Sequence, residues 1–258
     1  MINRGFVLGG IAIVAVLFLA AGGAAAQEFS IFSTFDADTA DSPPTTGGPD
    51  QPTGFLSAGV GVLVRASSSG IATQPLEVAD NTCSNTPFYF GGVYYDLPAV
   101  VTGSVLRVEA TVAANQLTSG VFFDTLDGGS AVARLSFRET GIIVDHFNVE
   151  LSSYVANTPF RFRADIDMDA KTWACTIDDE LNGFGDDPVV SGLAFVNDPA
   201  SITQVDTVYL DLLGSFNIYT CTVPRAVAFD DVLIVTPPPL FVDGFETGDT
   251  AAWSSAVP

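Results

Sequence analysis

Apolar and polar residues alternate with a period of two along most of the chain. The clearest runs are residues 105–112, 131–138 and 160–168, where apolar side chains occupy every second position. This spacing places the two classes of side chain on opposite faces of an extended strand, one buried and one solvated. The helical spacing of i, i+3, i+4 and i+7 is not sustained anywhere after residue 26. The pattern therefore predicts an all-β protein.

Short polar segments separate the predicted strands. Residues 127–129 (Asp-Gly-Gly) and 169–171 (Asp-Ala-Lys) each lie between two apolar runs and predict hairpin turns. Many short strands without intervening helices are typical of an antiparallel β-sandwich, or jelly roll. We expect one such domain over residues 27–235, a length that suits a single all-β domain.

The N-terminus departs from this pattern. Residues 1–26 combine a positive Arg4, an apolar run and a small-residue stretch that ends in three alanines before Gln27. This order is typical of a secretory signal peptide. The alternative is an uncleaved anchor, but the apolar run is short for a bilayer. We therefore expect a secreted protein, extracellular or on the cell surface, with no membrane span in its mature chain.

Charge and composition narrow the possible partners. The chain has 30 acidic and 9 basic residues, a net charge of −21, and Lys171 is its only lysine. Nucleic-acid binding is excluded because phosphates are held by Lys and Arg, whereas an acidic surface attracts divalent cations. The 20 Phe and 6 Tyr provide a large core and argue against disorder. Because His146 is the only histidine, a multi-histidine zinc site and a Ser-His-Asp triad are also excluded.

Three cysteines remain in the predicted mature chain. Export favours a disulfide. Because three is an odd number, one cysteine either keeps a free thiol or forms a disulfide with another chain. Cys83 and Cys221 lie in polar, loop-like stretches, whereas Cys175 lies in a strand-like run. We expect a Cys83–Cys221 disulfide.

Three stretches resemble the concanavalin A-like lectin/glucanase (laminin G-like) jelly-roll superfamily. They are residues 32–36 (Phe-Ser-Thr-Phe-Asp), the hairpin 162–178 and the closing strand 227–232. The superfamily includes glycan-binding modules, adhesion modules, glucanases and lyases, so the resemblance implies a fold and not one function. Residues 236–258 are a proline linker followed by a C-terminal tail, and the run Asp-Gly-Phe-Glu-Thr-Gly-Asp in this tail resembles a C-terminal segment of exported proteins from Gram-negative bacteria.

Asp230 and Asp231 interrupt an otherwise apolar predicted strand. A carboxylate among apolar neighbours needs a partner or a metal, and basic residues are few. The superfamily resemblance implies a calcium site where the first and last strands meet, which would bring Asp36 and Asp38 beside Asp230 or Asp231. The alternative is a pair of exposed aspartates at a bulge or strand end. Strict alternation places Asp231 on the same face as Phe229.

Two further groups of residues bear on catalysis and ligand binding. Asp165, Asp167 and Asp169 occupy alternate positions, as the catalytic glutamates of some jelly-roll glucanases do. Aspartate side chains are shorter than those of glutamate, which would change the separation of the carboxylates, so we favour a solvated strand face. Paired aromatic residues on a strand place one ring on each side, so one of each pair could face a ligand. The pairs concerned are Tyr94-Tyr95 and Phe122-Phe123.

Together these features favour a secreted, non-catalytic module that binds a carbohydrate or another surface polymer and is stabilised by calcium. One alternative is a polysaccharide hydrolase or lyase, which the missing glutamate pair disfavours. The other alternative is a structural protein of the cell surface or matrix.

Overall fold

The structure, a computed structural model, describes residues 29–58, 60–80, 88–215 and 225–236. Within these ranges the chain forms strands and no helix. The strands in chain order are β1 (Ser30–Ser33), β2 (Gly54–Ala58), β3 (Gly61–Val64), β4 (Leu76–Asp80), β5 (Phe88–Val101), β6 (Val105–Ala114), β7 (Gly120–Asp127), β8 (Ser130–Arg138), β9 (Ile142–Asp145), β10 (Glu150–Ser153), β11 (Phe160–Asp167), β12 (Thr172–Asp178), β13 (Val189–Ala194), β14 (Val205–Ser215) and β15 (Arg225–Val235).

The strands form two antiparallel sheets. Sheet A has eight strands in the order β13-β12-β11-β6-β15-β4-β3, and β1 pairs with β15 beside this path. Sheet B has seven strands in the order β10-β9-β8-β7-β14-β5-β2. The predicted all-β sandwich is therefore confirmed, and the turns at residues 127–129 and 169–171 join hairpins as predicted.

The core lies between the sheets and follows the alternation seen in the sequence. On β11, Phe160 and Phe162 are buried, whereas Arg161 and Arg163 lie on the outer face. Aromatic rings fill the centre of the core, with the rings of Phe122 and Phe137 4.3 Å apart and those of Phe123 and Phe162 5.0 Å apart. Each such pair contributes packing beyond the burial of its area.

The expectation that one ring of Phe122-Phe123 faces out is wrong, because both side chains are fully buried. The pairing of β7 with β8 shifts register between Val121 and Phe123, which inserts one extra residue and turns adjacent side chains to the same side. Tyr94-Tyr95 follows the expected pattern, since Tyr95 is buried and Tyr94 lies on the outer face.

A second irregularity lies in β15. Its pairing with β6 joins Asp230 to Thr111 and Leu233 to Glu109, with a register shift between the two pairs. Asp231 is the extra residue of this bulge, with a left-handed φ of 49°. The prediction that Asp231 shares the face of Phe229 is therefore wrong, because Phe229 is buried in the core whereas Asp231 is exposed.

The two ends of the described chain meet on β15. β1 pairs with its last residues, from Ser30 opposite Val235 to Ser33 opposite Val232. β4 pairs with the beginning of the same edge, from Arg225 to Phe229. The bulge therefore lies between the end of β1 and the start of β4.

Several sequence predictions fall outside the described residues. These are the signal peptide 1–26, the tail beyond Thr236 and both members of the Cys83–Cys221 disulfide. Cys175 is a free, buried thiol of β12, and burial raises its pKa strongly. In the described part of the chain, no helix is long and apolar enough to cross a membrane.

Candidate functional site

One row of side chains crosses four strands on the outer face of sheet B. Tyr94 of β5 lies opposite Tyr209 of β14, and Tyr209 in turn lies opposite Asp124 of β7. Asp124 completes the row by pairing with Arg134 of β8. The residues on either side of Tyr94 and of Tyr209 belong to the core, so alternation points both phenols away from it.

Three aromatic rings form a platform on this face, which we call the aromatic platform. The rings of Tyr94 and Tyr209 are stacked with centroids 5.6 Å apart and 29° between their planes. Phe90 lies 6.3 Å from Tyr209, and all three residues are half-buried. Gly54 makes room for the Tyr94 ring, since a Cβ at Gly54 would lie 2.6 Å from the phenolic oxygen. The platform thus presents a continuous apolar surface edged by hydroxyl groups.

Two carboxyl groups lie next to the aromatic platform. Asp124 is 6% exposed, and its Oδ2 accepts hydrogen bonds from Arg134, one of them 3.1 Å from Nε. Asp211 is 2% exposed and lies opposite Gly92, two residues beyond Tyr209 on the same strand. A Cβ at Gly92 would be 2.5 Å from the Asp211 Cα, so only glycine permits this close approach of β5 to β14.

Each of these carboxyl groups has a buried oxygen without a partner. The Oδ1 atoms of Asp124 and Asp211 make no hydrogen bond in the described structure. Burial raises the pKa of Asp124 to about 6 against the opposing charge of Arg134. Burial, reinforced by the Asp124 carboxylate, raises the pKa of Asp211 well above its ordinary value. Burial thus favours the protonated form of Asp211, which can donate as well as accept a hydrogen bond.

Of the four predicted calcium ligands, the structure brings three to the β15 bulge. Asp230 is buried, with its Oδ2 accepting a hydrogen bond from the Thr73 hydroxyl and its Oδ1 one from the Asp231 N–H, at 2.9 Å. Burial, with the charges of the exposed Asp231 and Asp36, raises the pKa of Asp230.

The fourth predicted ligand, Asp38, is turned towards Thr45. Its carboxylate accepts hydrogen bonds from the Thr45 hydroxyl and from the Thr45 N–H, the latter at 3.1 Å. Across the described ranges, no group of three or more His, Cys, Asp or Glu side chains is arranged to hold a metal ion. Because both oxygens of Asp230 already accept hydrogen bonds, a calcium ion at the bulge would have to share them.

Asp165, Asp167 and Asp169 have structural roles. Asp165 forms an ion pair with Arg107 across the outer face of sheet A, with 2.7 Å between Oδ1 and Nε. Asp167 Oδ1 accepts the N–H groups of Asp169 and Ala170 at 3.0 and 2.8 Å and so closes the β11–β12 turn. Their interpretation as a solvated strand face and turn agrees with these contacts.

Asp124 and Asp211 are not among the site residues predicted from the sequence. Both interrupt apolar runs, in Phe-Phe-Asp-Thr and Leu-Asp-Leu, and this is the signal that drew attention to Asp230 and Asp231. Asp211 has apolar neighbours on both sides, and Asp124 has one on its N-terminal side. The expectation that a carboxylate among apolar neighbours needs a partner would therefore have identified both residues.

Comparison with known proteins gives the fold and no closer relationship. No protein-family model and no curated protein sequence matches this chain. Arcelin-5, a lectin-like defense protein from Phaseolus vulgaris, aligns with a TM-score of 0.50 at 10% identity, covering 81% of this chain and 98% of arcelin-5. Peanut lectin, solved with a nine-residue peptide, aligns with a TM-score of 0.51 at 11% identity, covering 82% of this chain and 97% of the lectin. The chain therefore has the β-sandwich fold of the concanavalin A-like lectins, as the sequence resemblance implied.

Proposed function

We propose that this protein is a secreted module that binds a neutral glycan on the outer face of sheet B. The observation that carries the proposal is the aromatic platform beside two carboxyl groups with unpaired oxygens. The apolar face of a sugar ring packs on aromatic rings, and sugar hydroxyls can form hydrogen bonds with the phenolic hydroxyls and with the adjacent carboxyl groups. The lectin names of two neighbours in fold also make a glycan the first ligand to test.

The charge of the protein favours a neutral glycan over an acidic one. The net charge is −21, and the exposed Asp96 lies beside Tyr94 and Tyr209 at the edge of the platform. Anionic polymers such as uronic-acid polysaccharides are repelled by such a surface. A neutral sugar avoids this repulsion and can still use the carboxyl groups as hydrogen-bond partners.

Tyr209→Ala is expected to weaken glycan binding about tenfold, because losing about 50 Å² of apolar contact removes about 1.3 kcal/mol. The measurement is retention on insoluble neutral polysaccharides, followed by titration with soluble fragments of the polysaccharide that retains the protein. Phe147→Ala is the matched control, since Phe147 is an aromatic residue 52% exposed in the β9–β10 turn, away from the platform. Equal affinity of the two variants for the glycan would refute the platform as the binding surface.

The paired carboxyl groups also favour a second candidate, a polysaccharide hydrolase. Burial raises the pKa of Asp211 well above its ordinary value, whereas the ion pair with Arg134 opposes the same effect at Asp124. Two carboxyl groups whose environments push their pKa values apart are what acid–base catalysis uses. Measuring reducing ends in the same samples separates the candidates. Binding without new reducing ends supports the module, whereas release of reducing ends that Asp211→Asn abolishes identifies a hydrolase. If the protein neither binds nor cleaves any polysaccharide, a structural role at the cell surface is the remaining candidate.

Calcium binding at Asp36, Asp38, Asp230 and Asp231 stays a separate prediction, supported by the meeting of three of these residues at the β15 bulge. An ion bound only by the folded state stabilises it by about 2.7 kcal/mol at a hundredfold excess over Kd. Chelation is therefore expected to lower the melting temperature by about 5–10 °C. The double variant Asp230→Asn, Asp231→Asn should lose this sensitivity. Equal recovery with magnesium would indicate general relief of charge repulsion instead.

A further inference from the structure

A cleft of about 360 Å³ opens on the outer face of sheet A, on the opposite side of the sandwich from the aromatic platform. Its floor is one cross-strand row, in which Arg161 of β11 lies between Asp178 of β12 and Thr111 of β6. Thr111 in turn lies opposite Asp230 of β15. Loops form the walls, and their lining residues include Thr73, Pro159, Leu181 and the bulge residue Asp231. This sheet-A cleft has the size of a small-molecule site.

Two polar groups of the sheet-A cleft lack the partners that their chemistry requires. Arg161 donates from Nη2 to Glu109 at 2.8 Å, but its Nε–H is buried without an acceptor. Asp231 is exposed at the bulge, and within the described residues its carboxylate makes no hydrogen bond or ion pair. The cleft therefore holds one donor and one carboxylate that a ligand can satisfy.

The backbone around the sheet-A cleft is unusually strained. Seven non-glycine residues of the described chain have a left-handed φ, and two of them line this cleft, Leu181 (55°) and Asp231 (49°). Two more, Ser69 (54°) and Asn157 (58°), lie next to the lining residue Gly70, in sequence and in space respectively. Gly70 packs so closely on Asn157 that a Cβ would lie 2.1 Å from its carbonyl oxygen. Such conformations are costly for residues with a Cβ and concentrate at sites of function.

The charge around the sheet-A cleft selects the class of ligand. Arg161 and Arg163 share the single carboxylate of Glu109, so one positive charge remains there. The carboxylates of Asp178, Asp230 and Asp231 outnumber it, and the formal charge around the cleft is negative. The backbone N–H groups of Asn182 and Gly183 already donate hydrogen bonds to the two carboxylate oxygens of Asp178. Asp230 is likewise occupied by Thr73 and its own neighbour. Asp231 is thus the carboxylate left to bind a cation, and Leu181, 49% exposed, offers apolar contact.

We propose that the sheet-A cleft binds a small organic ammonium compound that also carries an oxygen acceptor, such as an amino sugar or amino alcohol. Its ammonium group binds the Asp231 carboxylate, its oxygen accepts a hydrogen bond from the accessible part of the Arg161 guanidinium, whose side chain is 33% exposed, and its carbon skeleton packs on Leu181 and Pro159. A charge-assisted hydrogen bond is roughly twice as strong as a neutral one, so the amine dominates recognition. This site does not depend on glycan binding at the aromatic platform.

The test uses glucosamine as the probe, at about pH 6.5 so that its amine is protonated, with chelator present to remove any calcium. Glucose and N-acetylglucosamine are the uncharged controls. Binding is measured by saturation-transfer NMR and by the shift in melting temperature. We expect glucosamine to bind about tenfold more tightly than either control.

Asp231→Gly tests the site without threatening the fold, because glycine adopts the left-handed bulge freely while the carboxylate is removed. It is expected to weaken glucosamine binding about tenfold. Asp198→Asn, at an exposed acid of the β13–β14 loop, is expected to leave it unchanged. Equal binding of glucose and glucosamine, or undiminished binding by Asp231→Gly, would overturn the proposal. If Tyr209→Ala lowered glucosamine binding, the probe would belong to the aromatic platform instead.

Discussion

Asp211→Asn is expected to stabilise the protein by about 2 kcal/mol at neutral pH, which corresponds to a rise of about 4–8 °C in melting temperature. Asp211 is 2% exposed, its buried Oδ1 has no hydrogen bond, and the carboxylate of Asp124 lies nearby. Asparagine has nearly the same shape and carries no charge, so it removes the desolvation and repulsion that oppose folding.

The pH dependence follows from the direction of the pKa shifts. Burial raises the pKa of Asp211, and that of Asp124 to about 6, above their ordinary value of 3.8. The folded state therefore binds more protons than the unfolded state above about pH 4, and stability falls as pH rises through the folded pKa. Urea unfolding at intervals between about pH 4 and 8 should show a shallower decline for Asp211→Asn than for the wild type.

Asp198→Asn is the control for a surface carboxylate and is expected to follow the wild-type curve. A lower stability of Asp211→Asn at every pH would mean that the carboxyl group stabilises the native state. If Asp211→Asn is more stable than the wild type but binds glycan more weakly, then Asp211 lowers the stability of the protein and contributes to glycan binding.

Glu109→Ala is expected to destabilise the protein by about 3 kcal/mol. Glu109 is 4% exposed, and its two oxygens accept from Arg161 Nη2 at 2.8 Å and Arg163 Nε at 2.7 Å. Losing one partner of a buried ion pair costs about 3–5 kcal/mol, and the partial exposure of both arginines places the effect at the lower end. Without Glu109 the two guanidinium groups also repel each other on adjacent positions of the same face.

The matched control is Asp165→Ala, which removes a carboxylate from the same face of sheet A. Among the residues that the structure describes, Asp165 forms an ion pair with Arg107 alone, and both side chains are about a third exposed. Such a pair is worth about 0–1 kcal/mol. Urea unfolding of the two variants should therefore differ by about 2 kcal/mol. Comparable losses would contradict the view that burial of Glu109, and not the number of ion pairs, sets the effect.

The local pattern of the sequence was sufficient for the strands but not for their irregularities. β11 alternates without interruption, and the structure follows it residue by residue. At Phe122-Phe123 and at Asp230-Asp231 a bulge changes which side chains face the core, and a bulge depends on the partner strand. The outcome at these positions was therefore decided by pairing with β8 and β6, which no local window contains.

The candidate site was harder to predict than the fold for the same physical reason. Tyr94 and Tyr209 stack across β5 and β14, and Asp124 joins them from β7, so the site is assembled from distant parts of the chain. Each residue alone has an ordinary structural interpretation. Only the register between strands shows that rings and unpaired carboxyl groups share one face.

The position of β1 has a consequence for the order of folding. Phe29 and Thr236, 207 residues apart, are joined by a hydrogen bond of 3.1 Å from the Phe29 N–H to the Thr236 hydroxyl. A ribosome releases the N-terminus first, so β1 has no β15 to pair with until nearly the whole sandwich has been synthesised. Closure of a sheet by such a distant pair is slow because the entropy of a very long loop is lost before the contact forms. The first strand of sheet A to be synthesised is therefore among the last to be secured.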